Sequence, residues 1–576
     1  MKRDCFYAKL PDKHLYSVTF KKIAMKIKIA VMAALLLCNI IACDTKPGTS
    51  SKQKNGEVYE LKTETYDSQS KPAPPPSVQE VQFTSPEIKP DEEVKDGKAD
   101  EGMLNTEDYD NIVENKFLAV TQNPLSTFSI DVDEAAYSNV RRYLQNGSIP
   151  PAGAVRIEEM INYFDYVYPK PQNGEPFTVN TEISECPWNP QHKLVHIGLQ
   201  GKEIPADNLP PSNMVFLVDV SGSMDEPNKL PLVQASMNML VDQLRENDKV
   251  AIVVYAGNAG LVLPSTSGSN KIKIKEAIDN LEAGGSTAGG EGIILAYKTA
   301  RENFIQGGNN RIILATDGDF NVGISSDDEL VRLIEKERKS GVFLSVLGYG
   351  MGNYKDNKMQ QLADKGNGNH SYIDNINEAR KVLVNEFGST LFTIAKDVKI
   401  QIEFNPAKVQ AYRLIGYENR MLAAEDFNDD TKDAGELGSG HTVTALYEII
   451  PVGVKDDFSK SVDPLKYQGN DRKIVSNSGE IMTIKLRYKK PDEEVSKLIT
   501  HAVMDAHIPI AGTSDNFRFS AAVAEFGLLL RHSEYRQQGS YNQVISLAKS
   551  AKGADEEGYR AEFIRLVQAA TSLAKN

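Results

Sequence analysis

From residue 214 onward, short and almost continuously apolar segments alternate with longer segments that carry apolar residues at helical spacing. Continuous apolar runs are typical of strands covered by helices on both faces, as in a parallel sheet. The runs lie at residues 214–218, 250–255, 261–264, 311–316, 342–347 and 370–374. The pattern therefore predicts an α/β domain over residues 211–392, with a doubly wound, mostly parallel six-stranded sheet.

The regions on both sides of this domain alternate apolar and polar residues, which is typical of antiparallel strands with one buried face. Before the domain, residues 111–210 contain strand-like segments at 126–132, 177–184 and 192–199. After it, residues 393–576 contain strand-like segments at 396–404, 409–417, 441–450 and 479–488, and then helical segments at 515–532, 540–551 and 557–574. We expect the strands of the two flanking regions to meet in one β platform, into which the α/β domain is inserted.

Two acidic residues close the first strand-like segment of the N-terminal region. Asp131 lies at the end of that strand, and Asp133 directly precedes a helical pattern over residues 134–145. We expect Asp133 to cap this helix, and a second helix to follow over residues 156–166. The two carboxylates could also form a metal-binding pair, but the strand-end and cap roles explain them more simply.

The N-terminal segment has the features of a targeting sequence. An apolar run at 29–37 follows four lysines and is too short to span a bilayer. The sequence Ile40-Ile41-Ala42-Cys43 then resembles a bacterial lipobox. We therefore expect residues 1–43 to be a lipoprotein signal peptide, with lipid attached to the thiol of Cys43. An ordinary signal peptide is the alternative, and Met25 is an alternative start to Met1.

Composition indicates the character of residues 44–110 and argues against one class of partner, nucleic acid. Residues 44–110 are rich in charged residues, Ser, Thr and Pro, and have too few apolar residues to fold, so we expect a disordered tether. The net charge of −14 and the absence of a basic stripe argue against nucleic acid as a partner. Beyond the signal peptide, Cys186 is the one remaining cysteine, so no disulfide framework is expected. We expect its thiol to be buried and inert.

Oxygen-bearing side chains follow two of the predicted strands. Asp219, Ser221 and Ser223 come directly after the first strand, and Asp317 ends the fourth. Thr287 lies in a glycine-rich loop between them. In an open α/β sheet such strand ends meet at one edge, and oxygen donors on short loops are what hard divalent cations prefer. The sequence therefore predicts a divalent cation site there.

These five residues resemble the metal-ion-dependent adhesion site of von Willebrand factor type A domains, in which Asp-x-Ser-x-Ser, a later Thr and a later Asp converge on one cation. The resemblance implies that the three hydroxyls contact the cation directly and that the two carboxylates act through water. One open coordination position would then bind an acidic side chain of a protein partner. Mg²⁺ is expected, with Mn²⁺ and Ca²⁺ as alternatives.

Further stretches are similar to a family of bacterial envelope lipoproteins. They lie at residues 127–133, 186–189, 315–321 and 366–370. In that family a particular N-terminal region, a type A domain and an uncharacterised C-terminal region follow one another. The resemblance implies a lipid-anchored, non-enzymatic protein of the bacterial cell envelope, on its periplasmic or outer side.

Two other functions compete with metal-dependent adhesion. In a structural scaffold the metal would only make the loops rigid, and a carboxylate of the same chain would close the site. An enzyme could use Mg²⁺ for phosphoryl transfer. However, no second carboxylate follows Asp219 at the second position, and the glycines near Thr287 are not followed by Gly-Lys-Ser/Thr. His192 and His196 lie on a predicted strand, where they would not meet. We therefore expect no enzymatic activity.

Overall fold

The structure of the protein is a computed structural model. It describes residues 107–575 apart from 173, 206–207, 287–288, 319–326, 387–391, 459–477, 492 and 507. The expected signal peptide, Cys43 and nearly all of the expected tether lie outside the described residues. The described residues belong to one compact unit.

The strands are β1 (Leu118–Ala119), β2 (Leu125–Ser129), β3 (Phe177–Cys186), β4 (Asn189–Gly201), β5 (Ser212–Asp219), β6 (Lys249–Tyr255), β7 (Ala259–Ser267), β8 (Asn309–Thr316), β9 (Phe343–Tyr349), β10 (His370–Ile373), β11 (Thr393–Phe404), β12 (Val409–Ile415), β13 (Gly435–Gly438), β14 (Thr442–Pro451), β15 (Glu480–Lys489) and β16 (Lys497–Met504). The helices are α1 (Ala135–Gln145), α2 (Ile157–Asn162), α3 (Leu230–Gln243), α4 (Lys271–Asp279), α5 (Gly289–Glu302), α6 (Asp327–Arg338), α7 (Asp356–Lys365), α8 (Ile376–Arg380), α9 (Asp515–Leu530), α10 (Tyr541–Ser550) and α11 (Tyr559–Leu573). Within the described residues, no helix combines the length and the apolar character needed to cross a bilayer.

Strands β5 to β10 form the sheet of the α/β domain, in the order β10-β9-β8-β5-β6-β7. All neighbours are parallel except β7, which is antiparallel to β6. Successive residues of β5 point to opposite faces and enter different cores: Phe216 packs in one, Val215 and Leu217 in the other. Both faces are buried by helices, which explains the continuous apolar runs. The prediction of a doubly wound, mostly parallel six-stranded sheet is confirmed.

The flanking regions build two antiparallel sheets together. One has the order β1-β12-β14-β4-β3, and in the other, β13-β11-β15-β16, strand β2 also pairs with β11. Strands from before and after the α/β domain therefore pair directly with each other, as in the β4–β14 and β2–β11 pairs. Their inner faces share one apolar core. This is the shared platform that was expected from the sequence.

The C-terminal helices cover a second core with the N-terminal helices. Phe519 of α9 lies 4.8 Å from Phe164, measured between ring centroids, and Phe563 of α11 lies 5.7 Å from Phe164. Tyr137 of α1 packs on the same ring at 4.9 Å. The two ends of the described chain thus stabilise each other through one aromatic cluster.

Two local predictions for the N-terminal region are wrong. Asp133 does not cap α1, because its carboxylate accepts a hydrogen bond of 2.8 Å from the backbone N–H of His370 and pairs with Arg420. Glu134 occupies the cap position, and its side chain makes no cap hydrogen bond. The second helix ends at Asn162 rather than at Tyr166. Long-range partners outweighed the local capping preference here.

Strands β1, β13 and β16 were not predicted. β1 and β13 are only two and four residues long, too short for a visible alternation. β16 is an edge strand with a single buried residue, Val503. Ile499, His501 and Val503 face inward, but the exposed face carries Leu498 and Met504, so the sequence lacks the apolar–polar alternation that indicates a strand.

Candidate metal centre

Two carboxylates meet at the carboxyl edge of the α/β sheet. β5 and β8 are parallel neighbours, with Val218 opposite Ala315. Asp219 at the end of β5 and Asp317 just after β8 therefore reach the same edge. Both residues are fully buried. Two buried carboxylates at one place are unfavourable unless cations or hydrogen-bond donors balance them.

Asp219 is held by three donors. Its Oδ1 accepts from the backbone N–H of Ser221 at 2.9 Å, and its Oδ2 accepts from the hydroxyls of Tyr255 and Thr316 at 3.1 and 3.2 Å. Burial raises the pKa of Asp219 to about 6, and the charge of Asp317 adds to this, although the bonds from Ser221 and Tyr255 oppose it. The carboxylate is thus well oriented but carries an electrostatic cost that a bound cation would remove.

The hydroxyl groups form the outer side of the site. The Oγ atoms of Ser221 and Ser223 lie 3.1 Å apart, Ser221 is buried and Ser223 is exposed. The backbone N–H of Gly222 donates to the carbonyl of Gly285 at 3.1 Å, which ties the glycine-rich loop to the serine loop. Thr287, the predicted ligand in that loop, lies outside the described residues. The other four predicted ligands lie together.

Two further residues contact Asp317 and were missed in the sequence. The ammonium of Lys229 donates to Asp317 Oδ2 at 3.1 Å and to the carbonyl of Ser223 at 3.0 Å. Asn353 donates from its Nδ2 to the same carboxylate oxygen at 3.0 Å. Burial raises the pKa of Asp317, but Asn353 and Lys229 outweigh it, so that the pKa lies below its ordinary value. Asp317 is therefore an anion at neutral pH.

Lys229 had a visible signal. It lies at the N-terminal end of α3, where a positive charge opposes the helix dipole, and it is nevertheless buried. Such a lysine needs a nearby anion, which Asp317 supplies. Asn353 had no comparable signal, because it lies in a loop among other polar residues.

The mouth of the site faces solvent. Gly222, Ser223, Gly285 and Ser286 are all exposed. In the part of the chain that the structure describes, no three or more His, Cys, Asp or Glu side chains are grouped to hold a metal ion. A cation at this place would therefore depend on the serine and threonine hydroxyls together with two carboxylates. This donor set suits Mg²⁺, which takes oxygen ligands and keeps several waters.

The loop that carries Asn353 is held by residues 107–110, which we term the strap. Glu107 Oε1 accepts from the backbone N–H of Gly352 at 2.8 Å. The backbone N–H of Asp108 donates to the carbonyl of Tyr354 at 3.1 Å. Burial raises the pKa of Glu107, but its bonds with Arg142 and Gly352 lower it to about 2. The strap thus fixes the loop beside the candidate site.

The residues of the alternative chemistries are separated. His192 bonds to Glu448 at 2.6 Å, whereas His196 bonds to Tyr168 at 2.8 Å, so the two histidines have different partners as expected. Cys186 is a buried free thiol, and burial raises its pKa well above the ordinary value. A thiol in that state is not a nucleophile.

Three family models match successive parts of the chain. Residues 103–196 match a model described as von Willebrand factor, and residues 213–385 match the von Willebrand factor type A domain. Residues 389–573 match the model described as the C-terminal part of uncharacterized protein YfbK.

Whole proteins and solved structures also match. Uncharacterized protein YfbK of Escherichia coli K12 is 46% identical over 473 residues, which are 81% of each chain. Uncharacterized protein sll0103 of Synechocystis is 28% identical over 190 residues, 32% of this chain and 43% of that one. The crystal structure of conserved hypothetical protein BatB from Bacteroides thetaiotaomicron is 25% identical, with a TM-score of 0.27, over 31% of this chain and 97% of that one.

Proposed function

Since this chain belongs to the family of von Willebrand factor type A domain proteins that includes YfbK of Escherichia coli, we propose that it binds a divalent cation and, through it, a protein partner. The cation, Mg²⁺ in the first place, is held by Asp219, Ser221, Ser223, Thr287 and Asp317. The partner presents an acidic side chain to the open coordination position. The protein acts by binding and not as an enzyme.

The observation that carries this proposal is the charge balance of the site. Asp219 and Asp317 are buried together, and the ammonium of Lys229 compensates one of their two negative charges. A divalent cation would leave one net positive charge at a mouth lined by neutral hydroxyls. An incoming carboxylate then gains both a metal bond and electrostatic attraction, so the arrangement favours an acidic ligand.

A structural scaffold is the alternative function. It is favoured by Lys229, whose ammonium already joins Asp317 to the serine loop without a metal. The exposure of Ser223 and Ser286 supports the adhesive function instead, because an external ligand can reach the hydroxyl ligands there. The two functions predict different behaviour towards a soluble carboxylate: it binds to the metal of an adhesive site, and it does not bind to the metal of a closed, structural site.

Lipid attachment at Cys43 and a place in the cell envelope complete the proposal. The lipobox-like sequence, the apolar run at 29–37 and the polar segment 44–110 support it. Labelling cells with an alkyne fatty acid tests it directly: we expect label on the protein and none on Cys43→Ser. Equal labelling of the two proteins would overturn lipid attachment at this residue.

The metal site is tested by calorimetric titration of Mg²⁺ and Mn²⁺ into residues 44–576, which retain everything that the structure describes. We expect saturable binding that is lost in Asp219→Ala. Asp225→Ala is the matched control, since Asp225 is an exposed carboxylate of the same loop. If the folded protein takes up neither metal, the proposal fails. If the protein binds metal but neither acetate nor an acidic peptide binds to the open coordination position of that metal, the scaffold is favoured.

A further inference from the structure

A cavity of about 900 Å³ lies where the N-terminal region, the α/β domain and the C-terminal region meet. Three of the stretches that carry the resemblance to envelope lipoproteins contribute to its wall. They supply residues 129–133, Gly318 and residues 367–370. The proposed metal site explains none of these stretches except the one beside Asp317. The cavity is large enough for an organic ligand, since ligand pockets measure roughly 300–1,000 Å³.

Arg311 lines one part of the cavity and forms no ion pair with a described residue, although Glu436 in the same wall acts on it at longer range. Only 2% of the residue is exposed. It donates to Ser345 Oγ at 2.7 Å and lies over the ring of Phe343, while its Nε has no hydrogen-bond partner. Within the described residues, no carboxylate lies within ion-pair distance of Arg311. Burial lowers its pKa to about 10, against the influence of Glu436. A buried guanidinium in this state calls for an anionic or strongly polar acceptor.

Another part of the wall carries excess negative charge. Arg420 is shared by Asp131, Asp133 and Asp364, at 3.0, 3.0 and 2.8 Å. One guanidinium balances only one of these three charges. The side chains of Asp131 and Asp364 keep 27% and 28% of their surface accessible, so both can receive a ligand from the cavity.

The ionisation behaviour agrees with this excess. Burial raises the pKa of Asp131 to about 6, and the charge of Asp364 adds to it, although Arg420 acts in the opposite direction. Burial and the charge of Asp364 also raise the pKa of Asp133. A cationic group placed here would relieve the crowding of like charges.

The cation is better supplied by an amine than by a metal ion. Among the described residues, no group of three or more His, Cys, Asp or Glu side chains is placed to hold a metal. The remaining wall is also rich in hydrogen-bonding groups that suit an organic molecule. His370, for example, is fully buried, bonds to Tyr354 through Nε2 at 2.9 Å, and leaves Nδ1 without a partner.

We propose that this cavity binds a small zwitterionic molecule of the short-peptide class, with its carboxylate on Arg311 and its protonated amine on Asp131 and Asp364. Each end of such a ligand supplies the charge that the facing wall lacks. The ligand would bridge Asp131 of the N-terminal region and Arg311 and Asp364 of the α/β domain, beside Arg420 of the C-terminal region, and so stabilise the position of the α/β domain on the platform. The cavity reaches Gly318 beside the metal centre, but the residues proposed to hold the ligand are not metal ligands, so its binding does not depend on the metal.

Three matched probes test the proposal by calorimetry on residues 44–576: trialanine, N-acetyl-trialanine and trialanine amide. The first keeps both charges, the second lacks the amine charge, and the third lacks the carboxylate. We expect trialanine to bind, and each modified form to bind at least about tenfold more weakly, because each loses a charge-assisted contact. No binding of trialanine at millimolar concentration, or equal binding of all three peptides, would overturn the proposal.

Variants assign the two ends of the ligand. Arg311→Gln should weaken trialanine binding about tenfold and leave the amide unaffected, and it should not lower the thermal midpoint, because it removes an unpaired buried charge. Arg332→Gln is the control, since Arg332 is exposed on α6.

Asp364→Asn tests the end of the ligand that carries the amine. It should weaken the binding of trialanine but not that of the N-acetyl form. Asp219→Ala should bind trialanine normally, so failure of the metal site and failure of this site are distinguishable. Unchanged binding in both cavity variants would contradict the assignment.

Discussion

Replacing Asp219 by Asn should have opposite effects on stability with and without metal. In the metal-free protein the buried charge of Asp219 is unfavourable, since its pKa rises from 3.8 to about 6. A shift of about two units corresponds to about 3 kcal/mol at neutral pH. Asparagine removes this cost, but it weakens the hydrogen bond from Ser221, and its amide nitrogen cannot accept the bonds from Tyr255 and Thr316, a combined loss of about 2 kcal/mol. The metal-free variant should therefore be more stable by about 1 kcal/mol.

With metal the order reverses. A ligand at a hundred times its dissociation constant stabilises the protein that binds it by about 2.7 kcal/mol. Wild-type protein receives this contribution, and Asp219→Asn does not, because the neutral amide removes one of the two negative charges that attract the cation. The wild type should then exceed the variant by about 2 kcal/mol, and the two stability curves should cross as Mg²⁺ is added.

Both free energies of unfolding, without and with metal, can be measured by urea unfolding of residues 44–576 in EDTA and in excess Mg²⁺. Far-ultraviolet circular dichroism follows the unfolding. Asp225→Asn is the control and should behave as wild type under both conditions. The reasoning is refuted if Asp219→Asn is clearly less stable than wild type in EDTA, since the buried charge would then be favourable. It is also refuted if Mg²⁺ stabilises both proteins equally.

Three further predictions concern buried charges. Asn353→Ala should weaken Mg²⁺ binding about tenfold in calorimetry, as loss of an outer partner of a metal ligand does, and it should lower the thermal midpoint slightly, because the buried Asp317 loses a hydrogen bond. Glu448→Gln should cost about 3–5 kcal/mol in urea unfolding, because it leaves buried positive groups uncompensated, whereas the exposed Glu203→Gln should stay within about 0.5 kcal/mol. Burial lowers the pKa of His192, but Glu448 raises it to a net value above 6.5. Its stabilisation is therefore complete below pH 6.5 and lost as the pH rises through the raised value, so unfolding midpoints between pH 6 and 9 should fall in wild type and change less in Glu448→Gln.

The α/β sheet could be predicted because its signals are local. Each strand carries its own apolar run, as at 214–218. The polar residues Asp219 and Asp317 come directly after two of these runs and so indicate the sheet edge where they lie together. The grouping of the four described ligand residues follows from strand order alone. The position of Thr287 stays a prediction, since the structure does not describe it.

Contacts between distant residues could not be predicted. Arg420 and Asp133 are 287 positions apart, and their bond replaces the local cap that the sequence favoured. Similarly, only the folded structure shows that the loop residue Asn353 donates a hydrogen bond to Asp317. Such partners depend on the packing of whole regions, which composition and periodicity do not encode. For the same reason a cavity beside Arg420 could not be predicted.

The strap has a mechanical consequence. Residues 107–110 are covalently continuous with the chain that leads to Cys43, and Glu107 and Asp108 are bonded to the loop of Gly352 and Tyr354. Tension applied to the N-terminal chain would therefore load this loop before it loads any sheet. The same loop carries the amide that orients Asp317. In the proposed function, tension on a lipid anchor at Cys43 and binding of a partner at the metal centre would therefore act on one short set of hydrogen bonds.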